Sequence, residues 1–465
     1  MSDLIGEVTI KALVRERLHG KEFFGHPAGL FVLFATEMWE RFSYYGMRAL
    51  LILYMTNYLL IDPERAYDVL GYHTLETFLV GIFGVMNVQQ MSSQIYGLYT
   101  GFVYFTPFFG GILADQLLGQ YRTVYLGGIL MSIGHFLMAS EKLFLVALFF
   151  LILGNGCFKP NISTQVGNLY APGDSRRDSA FTIFYMGINL GAFFSPLICG
   201  TLGQKVGWHW GFGAAGVGML IGLIFYWLGS DLVPHDTLVQ RAEKKDKHKL
   251  TSSEWLSVFV LIFLCGLNIM FWAVYEQQGN TLQLWADEKT NWNFLGINVP
   301  SSWFQSFNPL MIFIFAPLLN MLWTWQSRRG KEPSSVAKMG IGCLFCGGAY
   351  ILMILAARSV PGLERGSIMW LVGTTFVFTL GELYLSPIGL SLVTKVSPKS
   401  IVSMMMGVWF LSSFVGNYLT GYLGTFYSVM DKELFFMMLC AFGMGTGVVF
   451  FMVKPVINKA IGKHV

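Results

Sequence analysis

Long apolar runs recur along the whole chain, each close to the 20 residues or so that an α-helix needs to cross a hydrocarbon core. None shows the strict alternation of apolar and polar residues that a spanning barrel strand would carry, so helices are the remaining way to satisfy the backbone inside a membrane. The runs predict helices near 29–60, 92–114, 121–140, 143–168, 180–200, 210–230, 253–284, 303–325, 337–357, 366–392, 400–428 and 434–456. Only 12% of the residues are charged, against about 25% in soluble proteins. The expected fold class is therefore an all-α integral membrane protein with twelve transmembrane helices. The first, seventh and tenth runs are longer than a bilayer requires and are expected to tilt, bend or project from it.

Of the 31 lysines and arginines, Arg41, Arg48 and Lys159 fall well inside the predicted spans, and most of the others, in loops or at span ends, fall on the side that holds both termini. The bias of basic residues toward the cytoplasm then makes both termini cytoplasmic. Residues 1–28 lack the apolar core and small-residue cleavage site of a signal peptide, so the first helix is expected to stay in place as the insertion signal. The longest charged interruption, "VPHDTLVQRAEKKDKHKLTSSEW" at 233–255, has six spans before it and six after. It reads as a solvated linker. The expected organisation is an N-terminal segment (1–28), a six-helix bundle (29–232), a cytoplasmic linker (233–252), a second six-helix bundle (253–456) and a cytoplasmic tail (457–465). Six plus six is the arrangement of transporters that place a site between two repeated bundles.

The least expected stretch is "FATEMWERFSYY" at 34–45, which carries Glu37, Glu40 and Arg41 inside the first span, with Arg48 further on. At 100° per residue, Glu37, Arg41, Tyr44 and Arg48 fall within about 60° of one another, with Glu40 and Tyr45 flanking them. Glu37 precedes Arg41 by four residues, the favourable order for a helical ion pair. Other ionisable groups of the spans are Lys159 in "GCFKPNIST", Glu276 in "FWAVYEQQGN" and Glu382 in "GELYLSPIGLS", with Asp115 at a helix end. The first bundle thus supplies three cations and two carboxylates, and the second supplies two carboxylates. The bland reading is a set of static ion pairs that fix helix register, although burying such pairs is a poor way to gain stability. Charges concentrated on four helices fit a substrate and ion pathway better.

Other features carry less. Cys157, Cys199, Cys265, Cys343, Cys346 and Cys440 lie in apolar spans and read as small hydrophobes; the CxxC pair Cys343 and Cys346 has no second pair or histidine nearby, so no metal site is expected. "GNGC" at 154–157 reads as close helix packing and not as phosphate binding. "NIST" at 161–164 matches a glycosylation sequon that a span cannot use. His135 is the only histidine well inside a span and reads as a packed or locally bonded residue. "SMMMG" at 403–407 reads as adaptable packing.

Taken in order, "ExxERFxYY" (37–45), "FKPN" (158–161), "FYMGINLGA" (184–192), "WFQSFNP" (303–309) and "GELYLSPIGLS" (381–391) resemble the proton-dependent oligopeptide transporters of the major facilitator superfamily. "GGILADQLLGQYRT" (110–123) is similar to that superfamily's cytoplasmic loop motif, here with Gly111, Asp115, Gly119 and Arg122. The resemblance covers residues 29 to about 456. It implies the major facilitator fold and a proton-coupled symporter that imports di- and tripeptides by alternating access. It further implies that Glu37, Glu40 and Arg41 form the proton-coupling cluster, with Lys159 and Glu276 linked to it. Arg41 and Lys159 would meet the peptide carboxylate, and Glu382 its ammonium group. Arg48 with Glu276, and Lys159 with Glu382, would form gating salt bridges. Tyr44, Tyr45, Tyr104, Asn189, Trp272, Asn308, Trp409 and Ser413 would line the pocket.

The implied partners are peptides, protons and the lipid bilayer, with no cofactor beyond the coupling ion, no metal, no nucleic acid and no obligatory protein partner. No nucleophile or cofactor constellation suggests an enzyme. Animal members of the family carry a functional histidine in the second helix where this chain places Gly97, a departure that shifts proton binding to the glutamates. Neither the two additional helices of many bacterial members nor the external domain of animal members has room here, which points to a bacterial inner membrane. The alternatives are a same-fold carrier of nitrate or another small solute, and a non-transporting membrane sensor.

Overall fold

The computed structural model describes residues 18, 20–171, 173–234, 250–294, 296–360, 362, 364–398 and 401–461. The expected linker, the first residues and the end of the tail fall largely outside these. A short hairpin of β1 (Glu22–Phe23) and β2 (His26–Pro27) leads into α1 (Ala28–Tyr54). It is pinned to residues 170–179: His26 Nδ1 and Nε2 hydrogen-bond the hydroxyls of Tyr170 (2.7 Å) and Ser179 (2.9 Å), and Arg176 bonds Glu22 at 2.9 Å. Arg176 also hydrogen-bonds Asp174 and holds that carboxyl below its ordinary range.

The region expected to be a plain loop after the first span contains two further helices, α2 (Pro63–Asp68) and α3 (Tyr72–Phe83). Asp62 caps α2 by accepting from the Glu64 and Arg65 amides, and Pro63 stands at its first position, where a missing N–H costs nothing. The long helices follow: α4 (Val88–Phe105), continued by α5 (Pro107–Leu113), α6 (Gln120–Leu137), α7 (Phe144–Asn168), α8 (Arg176–Ser195), α9 (Trp208–Leu228), α10 (Ser252–Tyr275), continued by α11 (Thr281–Lys289), α12 (Phe307–Arg328), α13 (Ser335–Ser359), α14 (Met369–Val396), α15 (Val402–Gly424) and α16 (Lys432–Ile461). A two-stranded hairpin, β3 (Asn293–Phe294) with β4 (Ile297–Asn298), precedes α12. Among the described residues nine helical segments are long and apolar enough to cross a membrane by that measure alone. The segment that contains α1, with its charged face, is not one of them.

The helices are interrupted next to their charged residues. Pro160 lies inside α7 directly after Lys159, and Pro387 lies inside α14 five residues after Glu382. Each proline removes one backbone donor from its helix. The seventh run, expected as one helix over 253–284, instead changes at Glu276 to a tight turn through Gly279, then bends at Asn280 before α11. Irregular backbone at membrane depth is tolerated where side chains or a polar cavity satisfy it. Here Gln277 and Asn280 donate from their amides to the Thr420 carbonyl, at 2.9 and 3.3 Å.

By packing, the chain forms two units. The first contains residues 1–54, 58–79 and 105–241, and the second contains 55–57, 80–104 and 242–465. Most of α4 therefore packs with the second unit although it precedes the linker. The physical reason is a backbone contact: a Cβ on Gly97 would stand 2.6 Å from the Gly421 Cα. Beside it, Ser93 donates to Asn280 Oδ1 at 2.9 Å and Gln89 donates to the Gly424 carbonyl at 3.0 Å.

In the second unit the α12–α13 turn is fastened by Lys338, which is 6% exposed, pairs with Glu332 at 2.5 Å and stands 4.2 Å from the Trp323 ring centre. The hydrogen bond from Lys338 holds the Glu332 carboxyl below its ordinary range. A depressed carboxyl contributes stability above its unfolded value, about 4.3, and loses that contribution as pH falls through the folded value. Glu332→Gln should cost about 1–2 kcal/mol at pH 7, between an exposed and a buried pair. Thermal melts of the purified protein should show the deficit at pH 7 and a narrowing gap from wild type below about pH 4.

Candidate functional site

In the first unit the charged face of α1 is closed on itself. Arg41 Nε bonds both Glu37, at 3.2 Å, and Glu40, while its Nη2 donates to Glu40 Oε1 at 2.6 Å. All three side chains are almost wholly buried. The Arg41 guanidinium stands 5.1 Å from the ring centre of Tyr44, which packs edge to face on Tyr45. Lys159 of α7 is close enough for its charge to act on Glu37. On the far side of α1, Ser43 and His135 Nε2 are 2.5 Å apart, so the histidine is locally bonded, as expected. Asn189 of α8 is buried, and its amide donates to the Tyr185 carbonyl at 3.0 Å.

The loop motif of this unit divides in two. Gly119 has φ +78°, a left-handed conformation that glycine adopts without strain, and its amide closes the preceding turn onto the Ala114 carbonyl. Asp115 and Arg122 are exposed on either side of that turn. Gly111 faces open space, so no packing demand explains that glycine.

In the second unit Glu382 is held by neutral donors. Tyr275 donates its hydroxyl to Glu382 Oε2 at 2.5 Å, and the Asn308 amide reaches the same oxygen at 3.0 Å, Tyr275 Oη at 3.1 Å and Thr379 Oγ1 at 3.1 Å. Glu276 is buried at the α10 break, near enough for its charge to act on Glu382. Trp272 packs edge to face against Tyr275, and its buried Nε1 has no hydrogen-bond partner among the described residues. Trp409 is buried over Gly389, where any Cβ would stand 2.2 Å from the indole, and Ser413 lies one turn further along α15.

The sequence-predicted residues therefore fall into two sets. Glu37, Glu40, Arg41, Tyr44, Tyr45, Arg48, Lys159 and Asn189 belong to the first unit, and Tyr104, Trp272, Glu276, Asn308, Glu382, Trp409 and Ser413 to the second. Two hydrogen-bond partners of these residues escaped the sequence reading. Tyr275, next to Glu276 and three residues after Trp272, is the principal donor to Glu382. Asn155, inside the glycine motif of α7, points its amide at Glu40 Oε1 from 3.4 Å.

The model of the POT family matches residues 121–259 and 236–443 of this chain. The chain belongs to the POT family. It is 34% identical to an uncharacterized transporter of Bacillus subtilis, YclF, over 99% of each protein, and 33% identical to a di-/tripeptide transporter of Lactococcus lactis subsp. cremoris over 95% of this chain and 98% of that one. A peptide transporter of Yersinia enterocolitica is also 33% identical, over 87% and 89%. A crystal structure of the peptide transporter POT with sulfate has a TM-score of 0.83 at 33% identity, covering 97% of this chain and 99% of the other. A mutant of that transporter with alafosfalin bound gives 0.82 at the same identity and coverage. These are membrane transporters of the major facilitator fold, and this POT chain is a multi-pass membrane protein of that kind, not an enzyme.

Gly97, which the resemblance sets against a histidine of animal members, lies at the contact between α4 and α15. No side chain fits between Gly97 and the Gly421 backbone. Gly97→His should therefore force α4 off α15 at a cost of about 2–3 kcal/mol. Thermal unfolding of the purified variant should fall by several degrees; an unchanged melt would contradict the contact.

Proposed function

We propose that this POT-family chain is a proton-coupled symporter that imports di- and tripeptides by alternating access. The observation that carries the reading is the charge balance around Arg41. Glu37 and Glu40 both bond Arg41, and Lys159 acts on the same group, so two carboxylates balance two cations when all are ionised. A proton taken up by either carboxylate leaves the cluster with one excess positive charge. That excess is the charge needed to receive a peptide carboxylate. By reciprocity the bound carboxylate must strengthen proton binding to the same degree.

Glu382 provides the complementary end. Held by a hydroxyl and an amide, it keeps a carboxylate for the peptide's ammonium group, and Asn189 and Asn308 offer amides for the peptide backbone. Tyr44, Tyr45, Tyr104, Trp272, Trp409 and Ser413 would tolerate varied side chains through apolar and cation–π contact. Arg48 with Glu276, and Lys159 with Glu382, would act as pairs broken and remade during the cycle. Relatives named for di-/tripeptide and peptide transport support this substrate class. The protein would work in a cell inner membrane with both termini cytoplasmic, using protons as its coupling ion without another cofactor or an obligatory protein partner.

Each positive charge moved inward gains about 2.3 kcal/mol per 100 mV, enough to concentrate a peptide about 50-fold. Proteoliposomes with an imposed inward proton gradient should accumulate labelled dialanine. Glu40→Gln should abolish that accumulation while preserving counterflow exchange, which needs no net proton movement. Full gradient-driven accumulation by Glu40→Gln would overturn the assignment.

A further inference from the structure

The α7 motif "GNGC" does two jobs. Its glycines bring the helix close to its neighbours: a Cβ on Gly154 would stand 2.5 Å from Met131 Cγ, and one on Gly156 would stand 2.6 Å from Thr106 Cβ. Between them, Asn155 is 1% exposed and aims Nδ2 at Glu40 Oε1 from 3.4 Å, the same oxygen that accepts from Arg41 Nη2. Its Oδ1 is buried and accepts no hydrogen bond among the described residues. Lys159 lies four residues further along α7, on the same face.

We propose that Asn155 is the positioning residue that sets the pH at which Glu40 takes up and gives up its proton, by turning its amide to suit each protonation state. This rests on the proton-coupled reading above. An ionised Glu40 only accepts hydrogen bonds, and Nδ2 donates to it. After a proton from water binds a carboxylate oxygen, the resulting acid has a hydroxyl that must donate. Arg41 has donors alone and cannot receive it. Half a turn of the Asn155 amide presents the unused Oδ1 as the acceptor, so a buried acid and a buried carboxylate are both satisfied in one place.

The other charged and titratable groups around Glu40 come from its own helix and from the helices packed against it. From α1 they are Glu37 and Arg41, with Tyr44 and Tyr45 beside the guanidinium, and from α7 Lys159. Beyond its first turn α8 carries only Tyr185 as an ionisable group. On α9, His209 is bonded to the Met138 carbonyl and Tyr226 to Gln165. His135 of α6 is engaged with Ser43.

The test is the pH dependence of dialanine uptake into proteoliposomes, with counterflow at fixed pH measured in parallel. Asn155→Leu removes both the donor to the carboxylate and the acceptor for the acid; the bond to the charged form is the stronger, and the difference should move the half-maximal pH up by about one unit. Asn155→Asp keeps the size and adds an anion, so it should move the curve further up. Counterflow of the leucine variant should stay within about twofold of wild type; the aspartate, whose charge also opposes the peptide carboxylate, is read by its pH midpoint alone and carries the test if the leucine protein fails to fold. Curves that superimpose on wild type, or uptake lowered at every pH around an unchanged midpoint, would overturn the role of Asn155. Wild-type uptake indifferent to the imposed gradient would instead overturn the proton-coupled reading itself.

Discussion

Inside a hydrocarbon layer an ionised group must find its counter-charge within the protein, and the arrangement around Arg41 follows from that demand. The guanidinium is bonded to two carboxylates of its own helix, Glu37 and Glu40, and all three side chains are buried. Such a cluster repays its desolvation only with good geometry and satisfied lone pairs. Its retention by a helix that needs only apolar residues to span therefore points to use and not to stability. The surroundings are built to the same end: close glycine packing of α7 brings an amide to Glu40, and Lys159 acts on Glu37.

The second unit solves the same problem differently. Glu382 is met by Tyr275 and Asn308, neutral donors that satisfy a carboxylate without cancelling its charge. Glu37 and Glu40 meet cations instead, Arg41 through direct bonds and Lys159 through its charge on Glu37. Both sets sit beside helix irregularities: Lys159 before Pro160, Glu276 at the α10 break, Glu382 ahead of Pro387. Broken hydrogen-bond ladders give such helices a place to bend, and bending is what alternating access asks of them.

Much of this was legible because the relevant periods are short. Runs of about 20 apolar residues mark the spans, and the Glu37–Arg41 spacing of four predicts the pair that the structure contains. Local bonding of His135 and close packing at "GNGC" were likewise readable from residue type and setting. The α2 helix was signalled by Asp62-Pro63, a cap followed by a first-turn proline, but an apolar-run search passes over a six-residue helix. The break at Glu276 and the donor role of Tyr275 depend on partners far along the chain. So does the packing of α4 with the second unit, which a division at the charged linker cannot foresee, because two distant glycines decide it.

The account depends most on one claim: a single cargo molecule engages the α1 cations through an anion and Glu382 through a cation. Competition by three small ligands tests it most directly: dialanine, its N-acetyl form without the ammonium, and its C-terminal amide without the carboxylate, each against wild type and Glu382→Gln. Wild type should bind both modified forms about 10- to 100-fold more weakly, the cost of a lost hydrogen bond to a charged group. In Glu382→Gln the penalty should vanish for the N-acetyl form alone. Equal competition by all three ligands in wild type would contradict the claim.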